Sequence, residues 1–213
     1  MSFSDARQTW DARYSREDFL FGTEPNAFLS AQAHRLEPGS RALCVADGEG
    51  RNSVWLAGLG LEVDAFDISP VAVAKARALA SQQRVSVRHA IADILHLEWP
   101  DARYDVIAAI FIQFASPDER AAIFAGFVQS LRPGGVLLLQ GYRPEQLAYR
   151  TGGPPFAENM YSEPLLREAF AALDIHHLHS HDDIVCEGEG HNGMSALIDL
   201  VAVKPRRVTE GYR

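Results

Sequence analysis

The 213 residues carry a formal charge of −8 and are 47% hydrophobic. A chain of that length and composition builds one compact core, which excludes a disordered protein. With no Lys/Arg-rich run to neutralise phosphates, neither nucleic acid nor a membrane surface is expected as a partner.

The N-terminal stretch Met1 to Arg7 lacks an apolar segment behind a basic start, and no uncharged apolar stretch approaches the roughly 18 residues of a membrane span. The expected location is cytoplasmic. Cys44 and Cys186 lie in apolar runs with no CxxC or CxxH spacing, so they read as buried free thiols, and no metal site is expected.

From Arg41 the chain alternates short β-rich runs with alanine-rich helical patterns. The strands are expected over Ala42 to Ala46, Glu62 to Phe66, Val85 to His89, Tyr104 to Phe111 and Val136 to Gln140. Helices are expected over Asn52 to Leu59, Val71 to Gln82 and Asp118 to Leu131; Ser69-Pro70 and Ser116-Pro117 open the last two as cap and first turn. A helix over Pro164 to Leu173 leads to two long runs, Ile175 to Cys186 and Met194 to Lys204, joined by Glu187 to Gly193 as an antiparallel hairpin. That hairpin separates the chain from the all-parallel dinucleotide-binding pattern. The expectation is an α/β, doubly wound, Rossmann-like fold, a seven-stranded and mostly parallel sheet with one antiparallel strand from the C-terminal hairpin. One domain spans 1–213: an N-terminal lid or helical segment (1–40), a core (41–141), an acceptor-side loop, helix and hairpin (142–205) and a tail (206–213).

The first strand runs into Asp47-Gly48-Glu49-Gly50-Arg51-Asn52, which places two glycines where a backbone can approach a ligand closely. A tight turn without ligand explains the same residues, and Ser53 stands where a dinucleotide loop would carry a third glycine. At the end of the second strand, Asp67 before Ile68 can accept hydrogen bonds from both ribose hydroxyls of a nucleotide in the crevice. Beyond the third strand, Asp93 can accept from an exocyclic amine beside apolar Ile94, or can simply cap a turn.

Loop, ribose acid, Ala92-Asp93 pair, Tyr104-Asp105-Val106-Ile107 strand and Leu131-Arg132-Pro133-Gly134-Gly135 turn occur in the order of class I S-adenosylmethionine-dependent methyltransferases, which the chain resembles over roughly residues 41 to 141. Within that class, Trp10-Asp11-Ala12-Arg13-Tyr14, Phe21-Gly22-Thr23-Glu24-Pro25-Asn26 and Gly48-Glu49-Gly50-Arg51-Asn52 look like the tellurite-resistance and thiopurine methyltransferases. The resemblance implies S-adenosyl-L-methionine as cofactor and a small-molecule methyl acceptor, with a thiol or a selenium or tellurium compound favoured. The cofactor-binding set it implies is Asp47, Gly48, Gly50, Asn52, Asp67, Ile68, Asp93, Ile94, Arg13 and Trp10. Trp10, Phe19 and Phe21 form either a cofactor lid or aromatic core. Cys44 and Ala46 depart from the class pattern, leaving the cofactor ammonium to backbone carbonyls or to Asp47.

Methyl transfer from a sulfonium asks the protein mainly for alignment, water exclusion and, with poor nucleophiles, a base. The acceptor is expected at the carboxyl ends of the strands, near Ile112 to Ser116, Gly141 to Phe156 and the hairpin loop. His191 in that loop is a candidate base or a solvated tip, and Gln113 and Tyr142 are candidate acceptor ligands or strand ends. His177, His179 and His181 share one strand face, but their Cα atoms, nearly 7 Å apart in succession, splay outward and favour a solvated face over a metal site. Two alternatives remain: a noncatalytic sensor of S-adenosylmethionine or S-adenosylhomocysteine, and an NAD(P)-dependent oxidoreductase, which Ser53 and the hairpin disfavour.

Overall fold

The computed structural model describes residues 3–206, so the tail from 207 onward lies outside the described residues. Seven strands form one sheet in the order β3-β2-β1-β4-β5-β7-β6, with β1 over Arg41–Val45, β2 over Glu62–Asp67, β3 over Val87–Ile91 and β4 over Tyr104–Ile110. The remaining strands are β5 over Leu131–Tyr142, β6 over Asp174–Glu187 and β7 over His191–Val203. Pairing is parallel from β3 to β5, while β7 runs antiparallel to both β5 and β6. The expected architecture is therefore observed, including the hairpin.

Helices α1 (Phe3–Tyr14), α2 (Ala27–Ala31), α3 (Arg51–Gly58), α4 (Pro70–Gln82), α5 (Pro117–Ser130), α6 (Gln146–Tyr149) and α7 (Glu163–Ala169) complete the chain. Both expected caps are present. The Ser69 hydroxyl accepts from the Ala72 N–H, and Ser116 forms a reciprocal capping box with Glu119.

Strand alternation sends Leu43, Ile107, Leu137, Leu139 and Leu200 to one face, against Phe124 and Phe127 of α5 and Leu166 of α7. Ala42, Cys44, Val63, Ala108, Leu138 and Val201 face the other way, against Phe28 and Leu29 of α2 and Leu56 of α3. Each fully buried Leu or Phe contributes on the order of 1.5 to 3 kcal/mol from area removed from water. Only a 3-10 turn at Ile94–His96 links β3 to β4, and a cleft of about 410 Å³ remains beneath it, lined by Phe66, Ala90, Leu97 and Tyr104.

Several boundaries differ from expectation, α7 among them, which ends at Ala169 and not at Leu173. β3 starts two residues later, β5 begins directly at the end of α5, and the hairpin strands extend so far that only Gly188, Glu189 and Gly190 remain between them. Glu187 and His191 are thereby strand residues paired across the hairpin, and His191 is not part of a solvated tip. β6 also has no parallel neighbour; it runs in the direction of β5, but β7 lies between them.

Candidate active site

Between β1 and α3 the backbone curls through left-handed conformations at Ala46 (φ 47°), Gly48 (φ 60°) and Gly50 (φ 92°). The Gly48 N–H donates to Asp67 Oδ2 at 2.9 Å, and the Ser69 N–H donates to the other carboxylate oxygen at 2.9 Å. Asp67 is only 5% exposed, and burial raises its pKa although these amides stabilise the ionised form. The two glycines have different duties. A Cβ on Gly48 would stand 2.9 Å from the Tyr14 hydroxyl, whereas one on Gly50 would stand 2.7 Å from the Ala76 Cβ. Gly50 thus lets α3 approach α4 closely.

Helix α1 lies across this turn. The Tyr14 phenol is buried over Gly48, its pKa raised by desolvation and then by Asp67 and Glu49. Trp10 stacks on Tyr14 at 5.4 Å, and the exposed Arg13 guanidinium sits 4.5 Å over the Trp10 ring and 5.9 Å from Phe21. Buried Glu49 holds the chain after α1, accepting from the Leu20 N–H at 2.7 Å and pairing with Lys75 of α4 at 2.6 Å.

Several expected cofactor residues are engaged within the protein. Asn52 Oδ1 accepts from the Asn26 N–H at 2.9 Å. The Asp47 carboxylate turns to the Ser53 hydroxyl and amide, and is not presented to a ligand; burial pushes it up to about 7. The Ser53 hydroxyl also lies 3.4 Å from His89 Nε2. Asp93 caps the following turn through the Leu95 N–H at 2.9 Å and contacts His96. Ile94 is 6% exposed and belongs to the core, so it offers no open wall, while Ile68 stays half-buried beside Asp67. Cys44 packs into the core facing α2 and α3, where burial raises its thiol pKa and leaves it no polar duty. Cys186, by contrast, is exposed.

On the acceptor side, His191 is 8% exposed, with ring centroids 4.4 Å from Phe21, 4.3 Å from Phe111 and 5.8 Å from Tyr142. Its Nδ1 and the Tyr142 hydroxyl are both buried without a hydrogen-bond partner among the described residues. Phe111, directly after β4, has φ 54°, a conformation costly for a bulky residue and held here by packing on Tyr142 and His191. Gln113 is spent on the Tyr142 backbone, donating to its carbonyl at 2.7 Å and accepting from its amide at 2.5 Å. It anchors Tyr142 and does not reach toward an acceptor.

Beside this cage stands a polar network that the sequence did not reveal. Arg51 Nη2 donates to Glu187 Oε2 at 2.6 Å, and Glu187 Oε1 accepts from Asn26 Nδ2 at 2.9 Å and the Ala27 N–H at 3.0 Å. Asn26 also donates to Gln140 at 2.7 Å, Gln140 donates to Asp199 at 2.7 Å, and His181 lies 3.0 Å from Asp199. Burial alone would raise the Glu187 pKa. The His191 side chain, Arg51 and the Ala27 amide outweigh it and hold the carboxyl at about 2. A cleft of about 620 Å³ opens outside this network, between α2, the 21–25 segment and β6. The rings of His177, His179 and His181 follow one another at 5.8 and 4.9 Å, and no group of three metal-ligating side chains converges among the described residues. No helix of the described residues is long and apolar enough to cross a membrane.

Residues 42–135 match the family model of a methyltransferase domain. A ubiquinone biosynthesis O-methyltransferase of Xanthomonas campestris pv. campestris (strain B100) is 32% identical over 136 residues, 63% of this chain and 56% of that protein. The chain spans between 24% and 56% of the length of the curated relatives it matches. Among solved structures, a protein described in the conversion of a disulfide bond into a thioacetal group during echinomycin biosynthesis superposes with a TM-score of 0.76 at 20% identity, covering 95% of this chain and 93% of that one. The N-methyltransferase NodS from Bradyrhizobium japonicum WM9, in complex with S-adenosyl-L-homocysteine, gives 0.70 at 16% identity, covering 94% and 98%. Residues 42–135 are thus similar to a methyltransferase domain, and the seven-stranded sheet has the fold of the methyltransferase structure on which it superposes.

Proposed function

We propose that the chain transfers the methyl group of S-adenosylmethionine to a small molecule bearing a protic nucleophile, a thiol or a hydroxyl. The observation that carries this reading is the Gly48–Asp67 clamp at the carboxyl end of the sheet, near a cage in which His191 Nδ1 and the Tyr142 hydroxyl are buried and unpartnered. A strand-end carboxylate beside a turn whose glycine amide it already fastens suits a nucleoside ribose, so these residues fit the cofactor. Asp67 would hold the ribose, the turn at 46–50 the amino-acid end, and Trp10, Arg13 and Tyr14 of α1 would cover them. The bound cofactor supplies the electrophilic methyl group.

The chain's own residues supply a dry and oriented acceptor site. Burial lowers the His191 pKa, so its imidazole is neutral near pH 7 and can take a proton from the acceptor. Burial raises the Tyr142 pKa, which keeps its hydroxyl protonated as a donor to the acceptor. Gln113 fixes the Tyr142 backbone, and Phe21 and Phe111 exclude water. This set favours an acceptor that must lose a proton over an already ionised selenium or tellurium species. Kinship with the tellurite-resistance and thiopurine group rests on the Trp10 to Tyr14 and Phe21 to Asn26 motifs.

The test is mass transfer from isotopically labelled S-adenosylmethionine to a panel of thiols, phenols and chalcogen compounds. Transfer to a neutral thiol or hydroxyl, falling about 10²-fold or more in His191→Ala, is expected. Cofactor binding with no transfer to any acceptor would instead favour a sensor.

A further inference from the structure

We propose that Glu187 acts on His191 through its charge across the hairpin, and that Arg51, by engaging Glu187, holds the imidazole in its neutral, proton-accepting form. The proposal rests on the reading of His191 as the acceptor's base and adds what sets that base.

Glu187 and His191 are directly opposed where β6 and β7 join, with Oε2 3.9 Å from Nδ1, within ion-pair range but too long for a hydrogen bond. The same oxygen receives Arg51 Nη2 at 2.6 Å, and Asn26 with Ala27 takes the other. Side-chain exposure of the Arg51–Glu187 pair is only 8% and 11%, so its charges are weakly screened. Arg51, Asn26 and Ala27 thus take up the carboxylate's short hydrogen bonds, and Nδ1 faces the same Oε2 across 3.9 Å without a hydrogen bond of its own.

The other groups around the ring do not reverse this balance. From α1, Arg13 adds a second positive charge that disfavours imidazolium. From β5, Tyr142 presents an uncharged phenol, and Phe21 and Phe111 are apolar. Glu187 is the anion that opposes them, and Arg51 offsets it. Arg51 directly follows Gly50, so the state of the acceptor base is tied to the cofactor turn.

The decisive measurement is an NMR titration of the His191 imidazole in the full chain without acceptor, with the signal assigned by its loss in His191→Asn among the eight histidines. In the wild type the midpoint should lie below that of a free histidine. Arg51→Gln leaves Glu187 an uncompensated carboxylate and should raise the midpoint by roughly 1 pH unit. Glu187→Gln removes the anion and should lower it, while Arg51→Lys should restore a wild-type-like value. Opposite movements in the two Gln variants support the proposal. Movement in one direction by both, or no movement, overturns it. If Arg51→Gln does not fold, Glu187→Gln against Arg51→Lys decides alone, and a midpoint that fails to fall in Glu187→Gln overturns the proposal. Wild-type transfer by His191→Ala would remove the catalytic reading while leaving the titration result standing, so the two failures are distinguishable.

Discussion

The amide of Gly48 donates to the carboxylate of Asp67 across 2.9 Å, so the turn after β1 is fastened to the end of β2 by the residue proposed to hold the ribose. One side chain thus has both a structural and a ligand-binding duty.

Asp67→Ala should therefore fail in two assays. Calorimetric titration should show S-adenosylmethionine affinity reduced by about 1.5 to 3 kcal/mol, or roughly 10- to 150-fold. Urea unfolding should show a loss of about 1 to 3 kcal/mol, because the Gly48 and Ser69 amides lose their buried acceptor.

Gly50→Ala should destabilise the fold with or without cofactor, because the added Cβ meets Ala76 and the left-handed φ disfavours a side chain. A cost of about 1 to 3 kcal/mol is expected from overpacking. Combining it with Ala76→Gly should recover part of that loss in a double-mutant cycle. Full additivity would show that α4 is not the obstacle.

Asp93→Asn should be mild, since an amide still caps the turn at Ile94–His96, and cofactor affinity should fall less than in Asp67→Ala. Asp93→Ala should cost about 0.5 to 2 kcal/mol of stability through the lost cap. Abolished cofactor binding in Asp93→Asn beside a silent Asp67→Ala would reverse the assignment of the two acids.

Burial raises the Asp47 carboxyl to about 7 from an ordinary value of 3.8, so the folded state holds more protons than the unfolded state between those limits. Stability from this group therefore falls as pH rises from about 4 to 7. His89, held down to about 4 by burial and then Arg77, works in the opposite direction up to its ordinary value of 6.5. Asp47→Asn removes only the first contribution. Its stability relative to wild type should climb steadily from pH 4 to 7 in urea unfolding; a flat difference would show that the Asp47–Ser53 pair is not protonated in the fold.

The sheet and its helices were legible because their periodicities and Ser-Pro starts are local. So was the turn from Asp47 to Asn52, whose glycines announce themselves. The use made of each side chain was less legible. Nothing near Asn52 in the sequence indicates that its side-chain oxygen accepts from the Asn26 amide, or that Gln113 is consumed by Tyr142. Arg51 and Glu187 are 136 residues apart, and the two glycines around Glu189 made Glu187 read as part of a solvated loop. The one available signal was negative: a tight hairpin needs few residues, so Glu187 and His191 were available to extend the strands.

The placement of β7 between β5 and β6 governs the order in which the chain can assemble. β6 is made before β7 yet pairs only with it, and the edge of β5 from Val136 to Tyr142 stays open until residues 197–203 arrive. Fourteen residues of β6 and the apolar edge of β5 thus wait as unpaired strand during synthesis, a state prone to association with other chains. The last strand then closes both edges at once, making completion of the sheet a late, long-range and slow step in folding.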